Sequence, residues 1–170
     1  MKKIAQHYLP LKIIGLLLMC ATLAACGFQL RGAANLSFKS IFVQGNTLSI
    51  SKELNKAFKL NGIQLASKVE DAELQLELLN ESSEKRILTL SGNGTVREYE
   101  LIYIMTFRAR DPAQETWGAP QSVQSRRDFS YNDNELLGKA DEEATLNADM
   151  RSDAVREIIR RLSAIKVTPK

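Results

Sequence analysis

The chain has 170 residues, of which 44% are hydrophobic and 25% charged, with 9 Gly and 4 Pro. That length supports one domain around a single core, and the mix excludes a collagenous or largely disordered chain. The formal charge of +3 resides in Lys2, Lys3 and Lys12, within a segment expected to be removed. The remaining acids and bases cancel, which argues against nucleic-acid binding driven by bulk positive charge.

The first 26 residues carry the strongest signal. Lys2 and Lys3 precede an apolar run from Leu11 to Ala25 that only Lys12 interrupts, the order of a secretion signal. A membrane-spanning helix needs about 20 apolar residues, and this run stops sooner, at Leu23-Ala24-Ala25-Cys26. The tetrapeptide matches a lipobox. Small residues before the cysteine admit a peptidase, and the thiol takes up a diacylglyceryl group before cleavage. Cys20 follows the bulky Leu18 and Met19 and lies inside the apolar run, so Cys26 is the predicted lipid-bearing residue. Two or three acyl chains at Cys26 anchor a protein on a membrane, whereas one alone is marginal. Gly27 in place of an aspartate after the cysteine points, by the rule for enteric lipoproteins, to the outer membrane.

Cleavage before Cys26 discards Cys20 and the single histidine, His7, and lipid consumes the remaining thiol. Catalytic triads, zinc sites and thiol redox chemistry are thereby excluded, and no cofactor or metal is expected. Paired carboxylates are the one catalytic arrangement left. Glu142 with Glu143, Glu98 with Glu100, and Asp71 with Glu73 read more simply as solvated positions. The chain is not expected to be an enzyme.

Residues 26–36 read as a lipidated tether, and 37–170 as one folded domain after a leader at 1–25. Ser37 to Val43 is rich in β-branched and aromatic residues and ends at the Gln44-Gly45-Asn46 turn, a first strand. From Ile50 to Leu60, Ile50, Leu54, Ala57, Phe58 and Leu60 share one face, with Lys52, Glu53, Lys56 and Lys59 outside. This is a short amphipathic helix stopped by Asn61-Gly62. In DAELQLELLNESS, Ala72, Leu74, Leu76 and Leu78 alternate with polar residues, the period of a half-buried strand. Ser82 to Arg86 breaks that alternation and Ile87 to Leu90 resumes it. Ser91 to Thr95 contains Asn-Gly and reads as a hairpin turn.

Val96 to Arg110 is the longest predicted strand. Tyr99, Leu101, Tyr103, Met105 and Phe107 form its core face; Glu98, Glu100, Ile102, Ile104, Thr106, Arg108 and Arg110 form the other. That second face is charged at its ends and apolar at its centre, so Ile102 and Ile104 are candidate contacts for a partner or a lipid. Asp111 to Pro120 is a hairpin loop, and Gln121 to Tyr131 returns as a strand with Val123, Phe129 and Tyr131 inward. Adjacent strands are expected to bring Arg108, Arg110 and Arg126 together, a candidate clamp for phosphate groups because guanidinium forks suit them. Asp133 to Ala164 has no proline, and Leu137, Ala140, Ala144, Ala148, Val155, Ile158, Ile159 and Leu162 recur at helical spacing. The middle of this long helix, Thr145 to Arg151, is polar for a helix lying on a core.

The order of elements predicts an α+β domain, a four- to five-stranded mostly antiparallel sheet with two helices packed on one face and the other face open. Cys26-Gly27-Phe28-Gln29-Leu30-Arg31-Gly32 directly after a lipobox, followed by a strand-helix unit with FVQGN near its turn, resembles the LptE family of lipopolysaccharide-assembly lipoproteins. The resemblance extends over the mature chain in element order and is specific at the lipidated end. It implies a non-enzymatic outer-membrane lipoprotein that plugs the lumen of the LptD β-barrel, supports assembly of that barrel and binds lipopolysaccharide. On that reading the partners are an LptD-like barrel, lipopolysaccharide and the membrane itself, and the arginines meet lipid phosphates. The rival class is a lipoprotein attached to peptidoglycan or to another envelope complex.

Overall fold

The computed structural model describes residues 36–132 and 136–167. The predicted leader, Cys26 and all but the last residue of the predicted tether lie outside the described residues. Strand β1 (Ser40–Gly45) leads to helix α1 (Ser51–Leu60) and the two-residue β2 (Gln64–Leu65). A 3-10 turn at Val69–Asp71 precedes β3 (Leu74–Leu90), β4 (Val96–Arg110), β5 (Gln121–Ser130) and helix α2 (Leu136–Ser163). The five strands make one mixed sheet in the order β2-β1-β3-β4-β5. β1 is parallel to β2 and to β3, and the two long hairpin pairings, β3 with β4 and β4 with β5, are antiparallel. This is the expected α+β class.

The alternation in the sequence explains which face is buried. Leu74, Leu76 and Leu78 of β3 and Leu101, Tyr103, Met105 and Phe107 of β4 point inward. There they meet Leu54 and Phe58 of α1 and Met150, Ala154, Ile158 and Leu162 of α2, all in one core. A period of two on the strands and of three to four on the helices is what this layering requires. Gly45 ends β1 at φ +104, and a Cβ there would stand 2.3 Å from the carbonyl oxygen of Leu78. Only glycine fits that close approach of β1 to β3.

Two expectations change. The predicted break at Ser82 to Arg86 is absent: β3 runs unbroken through 17 residues. A register shift between Leu78 and Asn80 inserts an extra residue, after which Glu81, Ser83 and Lys85 take the inward positions opposite Met105, Tyr103 and Leu101. The apolar alternation stops because the core stops, while the backbone ladder continues. The hairpin of β3 and β4 therefore has a proximal half in which both strands face the core with apolar residues and a distal half in which β3 turns polar residues inward. The second change concerns α2. Its second half carries the buried Met150, Ala154, Val155, Ile158, Ile159 and Leu162, whereas no residue from Gly138 to Asp149 is fully buried. The polar stretch seen in the sequence marks that transition.

Candidate functional site

The register decides what the outer sheet face offers. Arg108 lies opposite Glu77 and Arg110 opposite Gln75, whereas Arg126 lies opposite Ile102. Six residues of β4 separate Arg108 from Ile102, about 20 Å at strand spacing. The expected cluster of three arginines is corrected accordingly: Arg108 and Arg110 share a face of β4, two residues apart, and the register of β5 sets Arg126 far along the hairpin. Arg108 pairs with Glu77, and Arg110 donates to Gln75 and, at 3.0 Å, to the carbonyl of Glu115. Both guanidinium groups sit over Trp117, 4.8 and 4.6 Å from its ring centroid. These contacts fasten the β4–β5 loop to the sheet and leave the two cations engaged.

Arg126 shares Glu100 with Arg86, its Nη1 at 3.8 Å from the carboxylate. Ile102 lies between Glu84 and Arg126 in register and is only 5% exposed; Ile104 is half-buried. Ile102 is thus buried within the chain, flanked in register by two charged residues, Glu84 and Arg126.

Open apolar surface lies elsewhere. Ile87, Leu88 and Leu90, at the far end of β3, are 54%, 44% and 56% exposed. Register shifts around Thr89 interrupt the inward-outward alternation there, and the exposed Arg97 stands on the facing strand. The sequence reading gave these residues to a resumed strand and missed their exposure. The available signal was the charged run Glu84-Lys85-Arg86, which shows that the core had already ended.

The distal hairpin is joined to α2 by a cation in an aromatic box. Lys85 Nζ lies 4.3 Å from the centroid of Tyr99, 5.4 Å from Phe129 and 5.8 Å from Tyr131, and 2.5 Å from Glu143 on α2. Tyr99 stacks on Phe129 and meets Tyr131 edge-on. Nearer the core, Glu81 accepts from the Ser49 amide at 2.7 Å, Ser49 Oγ at 2.6 Å and the Tyr103 hydroxyl at 2.7 Å. Burial pushes the Glu81 carboxyl up, but these bonds and one from the Ile50 amide outweigh it and hold the group below 4.5. Burial, reinforced by the Glu81 carboxylate, pushes the Tyr103 phenol far above its ordinary 10.0. Glu81 thus ties the start of α1 to the middle of the hairpin. A further ion pair, Arg151 to Glu53 at 3.4 Å, ties α1 to α2.

On the outer side of α1, Lys52, Lys56 and Lys59 are exposed and line an open groove of about 570 Å³ with Thr47, Leu48, Ser51 and Asn55. Among the described residues there is no cluster of His, Cys, Asp or Glu suited to a metal ion, and no helix is long and apolar enough to cross a membrane. Cys26 lies outside the described residues.

The chain is similar in sequence to LPS-assembly lipoproteins LptE. It is 28% identical to that of Photorhabdus laumondii subsp. laumondii over 91% of this chain and 87% of the relative. The LptE of Pectobacterium atrosepticum is 23% identical over 94% and 88%. Among solved structures, the solution structure of lipoprotein B from Nitrosomonas europaea has a TM-score of 0.71 and 33% identity, covering 81% of this chain and 91% of that one. The crystal structure of rare lipoprotein B from Shewanella oneidensis has a TM-score of 0.66 and 25% identity, covering 74% and 94%. Residues 38–162 match the family model described as LptE, Lipopolysaccharide-assembly. The chain therefore belongs to the LptE family of lipopolysaccharide-assembly lipoproteins, which are not enzymes.

Proposed function

We propose that the chain is an outer-membrane lipoprotein, cleaved before Cys26 and acylated there, with its domain in the periplasm or a barrel lumen. In this role it plugs and supports assembly of an LptD-like β-barrel and binds lipopolysaccharide on its way to the cell surface. The leader at 1–25 and the lipobox support the anchor, and family membership supports the role in lipopolysaccharide assembly.

The observation that carries the ligand reading is the exposed apolar end of the hairpin, Ile87, Leu88 and Leu90. A lipopolysaccharide brings acyl chains and phosphates to one place, and the distal hairpin offers these three residues together with Arg97 and, on its outer face, Arg126. Burying what remains exposed on each apolar residue contributes about 1 kcal/mol, so the three together contribute roughly 3 kcal/mol, or about a hundred-fold in affinity. Arg108 and Arg110, engaged by Glu77, Gln75 and Trp117, are left a structural part, and the phosphate role falls to Arg126.

The test is binding of purified lipopolysaccharide by the chain and by a variant with serine at 87, 88 and 90. The expected result is a loss of ten- to a hundred-fold, a smaller and salt-dependent loss for Arg126→Ala, and none for Arg108→Ala. Equal binding by the serine variant and the unaltered chain would remove the proposal. Extraction in detergent tests the partner: the chain should co-purify with a large β-barrel, and co-purification with peptidoglycan instead would favour the rival class.

A further inference from the structure

The sheet ends at β5, and among the described residues no strand pairs with the outer edge of its ten residues. The opposite edge, β2, is only two residues long. Parity settles which backbone groups of β5 are open. The Tyr131 amide donates to the Arg97 carbonyl at 2.8 Å, so the odd-numbered residues bond to β4. The even ones, from Ser122 to Ser130, turn amide and carbonyl outward, and all of them are exposed. Arg161 of α2 donates to the Ser122 carbonyl at 3.1 Å, and Arg127 to that of Arg126 at 2.8 Å. The outward amides and carbonyls of Gln124, Asp128 and Ser130 take no partner among the described residues. Sheets commonly blunt a long edge with proline or a bulge, and β5 contains neither.

Helix α2 flanks this edge. Arg161 reaches Ser122, Asp153 pairs with Arg127, and Lys139 donates to Ser130 Oγ at 3.4 Å. Between strand and helix lies an open groove of about 330 Å³, with Val123, Gln124 and Ser125 on one side and Asp153, Ala154 and Glu157 on the other. Its surroundings are positive. Arg127 and Arg156 share Asp153, and Arg160 and Arg161 share Glu157, so four guanidinium groups stand against two carboxylates. The side chains of Arg156 and Arg160 are 70% and 72% exposed. An open edge of this kind takes an extended peptide as an added strand: backbone bonds hold the peptide, and the groove reads alternate side chains.

We propose that β5 and α2 form a docking groove for an extended acidic segment of the partner protein, which joins the sheet as a sixth strand with its carboxylates over Arg156 and Arg160. The inference rests on the reading that a β-barrel holds the domain. The closed wall of a barrel has no strand edge to give, so the segment is a loop or arm of that chain turned into the lumen. A carbonyl oxygen has two lone pairs, so Arg161 and Arg127 hold the edge without closing it. Two other occupants fit the charge poorly. The chain's own residues 27–35 carry Arg31 and no acid, and a second copy would set the same arginine-rich rim against itself.

The experiment compares the full chain alone in detergent with its complex with the co-purified barrel, and reads hydrogen exchange of single amides by mass spectrometry. The amides of Gln124, Arg126, Asp128 and Ser130 should exchange about ten-fold or more slowly in the complex. Those of Ser125 and Arg127, already bonded to β4, should change little. Gln124→Pro removes an outward amide and no bond to β4. It should leave the circular dichroism of the free chain unchanged and speed dissociation of the complex about ten-fold, whereas Gln124→Ala, which keeps the amide, should not. Arg156→Gln combined with Arg160→Gln should weaken the complex about two- to ten-fold and flatten its salt dependence. Equal exchange of the four amides with and without a co-purified barrel overturns the proposal and leaves the plug reading standing. Protection already present in the free chain also overturns it, in favour of the chain's own residues when independent of concentration and of a second copy when not. A chain that brings down no barrel overturns the plug reading, and this inference with it.

Discussion

Removing the Glu81 carboxylate should destabilise the domain far more than its surface position suggests. Glu81→Ala leaves the Tyr103 hydroxyl, on a residue 1% exposed, without its acceptor, and frees two donors of Ser49 at the start of α1. An unsatisfied buried donor costs about 1–3 kcal/mol, and loss of a helix-start acceptor about 1 kcal/mol. The sum is near 3 kcal/mol, or about 10 °C in melting temperature for a domain of this size. Tyr103→Phe removes one bond to a charged acceptor and should cost about 1.5–3 kcal/mol. Because the two residues share that bond, the double variant should cost less than the sum of the singles by about 1 kcal/mol or more. Urea unfolding of the soluble chain from Gly27 onward, followed by circular dichroism near neutral pH, measures all three. Additivity within about 0.5 kcal/mol, or a cost below about 1 kcal/mol for Glu81→Ala, would refute the network. The pH dependence carries a sign. A carboxyl held below 4.5 when folded stabilises the fold above 4.5, and that contribution is lost as pH falls through the lower folded value. The gap between the unaltered chain and Glu81→Ala should therefore stay constant near neutrality and narrow only below 4.5.

Two further outcomes follow from packing. Gly45→Ala places a Cβ 2.3 Å from the Leu78 carbonyl oxygen at φ +104, and should cost at least about 2 kcal/mol in the same unfolding assay. Lys85→Met keeps the stem among Tyr99, Phe129 and Tyr131 but loses the pair with Glu143. It should cost about 1 kcal/mol and hasten hydrogen exchange in α2 from Gly138 to Asp149 while leaving Met150 to Leu162 protected.

What the sequence made legible follows the core. β4 matches its predicted bounds because Leu101, Tyr103, Met105 and Phe107 alternate through the region both helices cover. β3 did not, because a period-two pattern reports burial and not pairing: beyond the extra residue at Leu79, Glu81, Ser83 and Lys85 face inward yet remain in the ladder. The arginines fail for a related reason. Arg108, Arg110 and Arg126 share a face by parity, but distance along a hairpin depends on register, and the loop from Asp111 to Pro120 places Gln121 opposite Phe107. The box around Lys85 draws on residues 85, 99, 129, 131 and 143, whose adjacency exists only once that register is set.

The same division of the hairpin gives the ligand test its clarity. The proximal half is held by buried leucines, and the distal half by Lys85, Glu143 and three rings, so Ile87, Leu88 and Leu90 stand on an arm the core does not require. With roughly half of each side chain already in water, serine at 87, 88 and 90 gives up the buried half. Each change should cost about 1 kcal/mol on unfolding. A loss of lipopolysaccharide binding in a variant that is still folded in the absence of urea therefore reports the surface itself. A fall of more than about 2 kcal/mol for any one change would instead place that residue in a packed core and contradict its exposure.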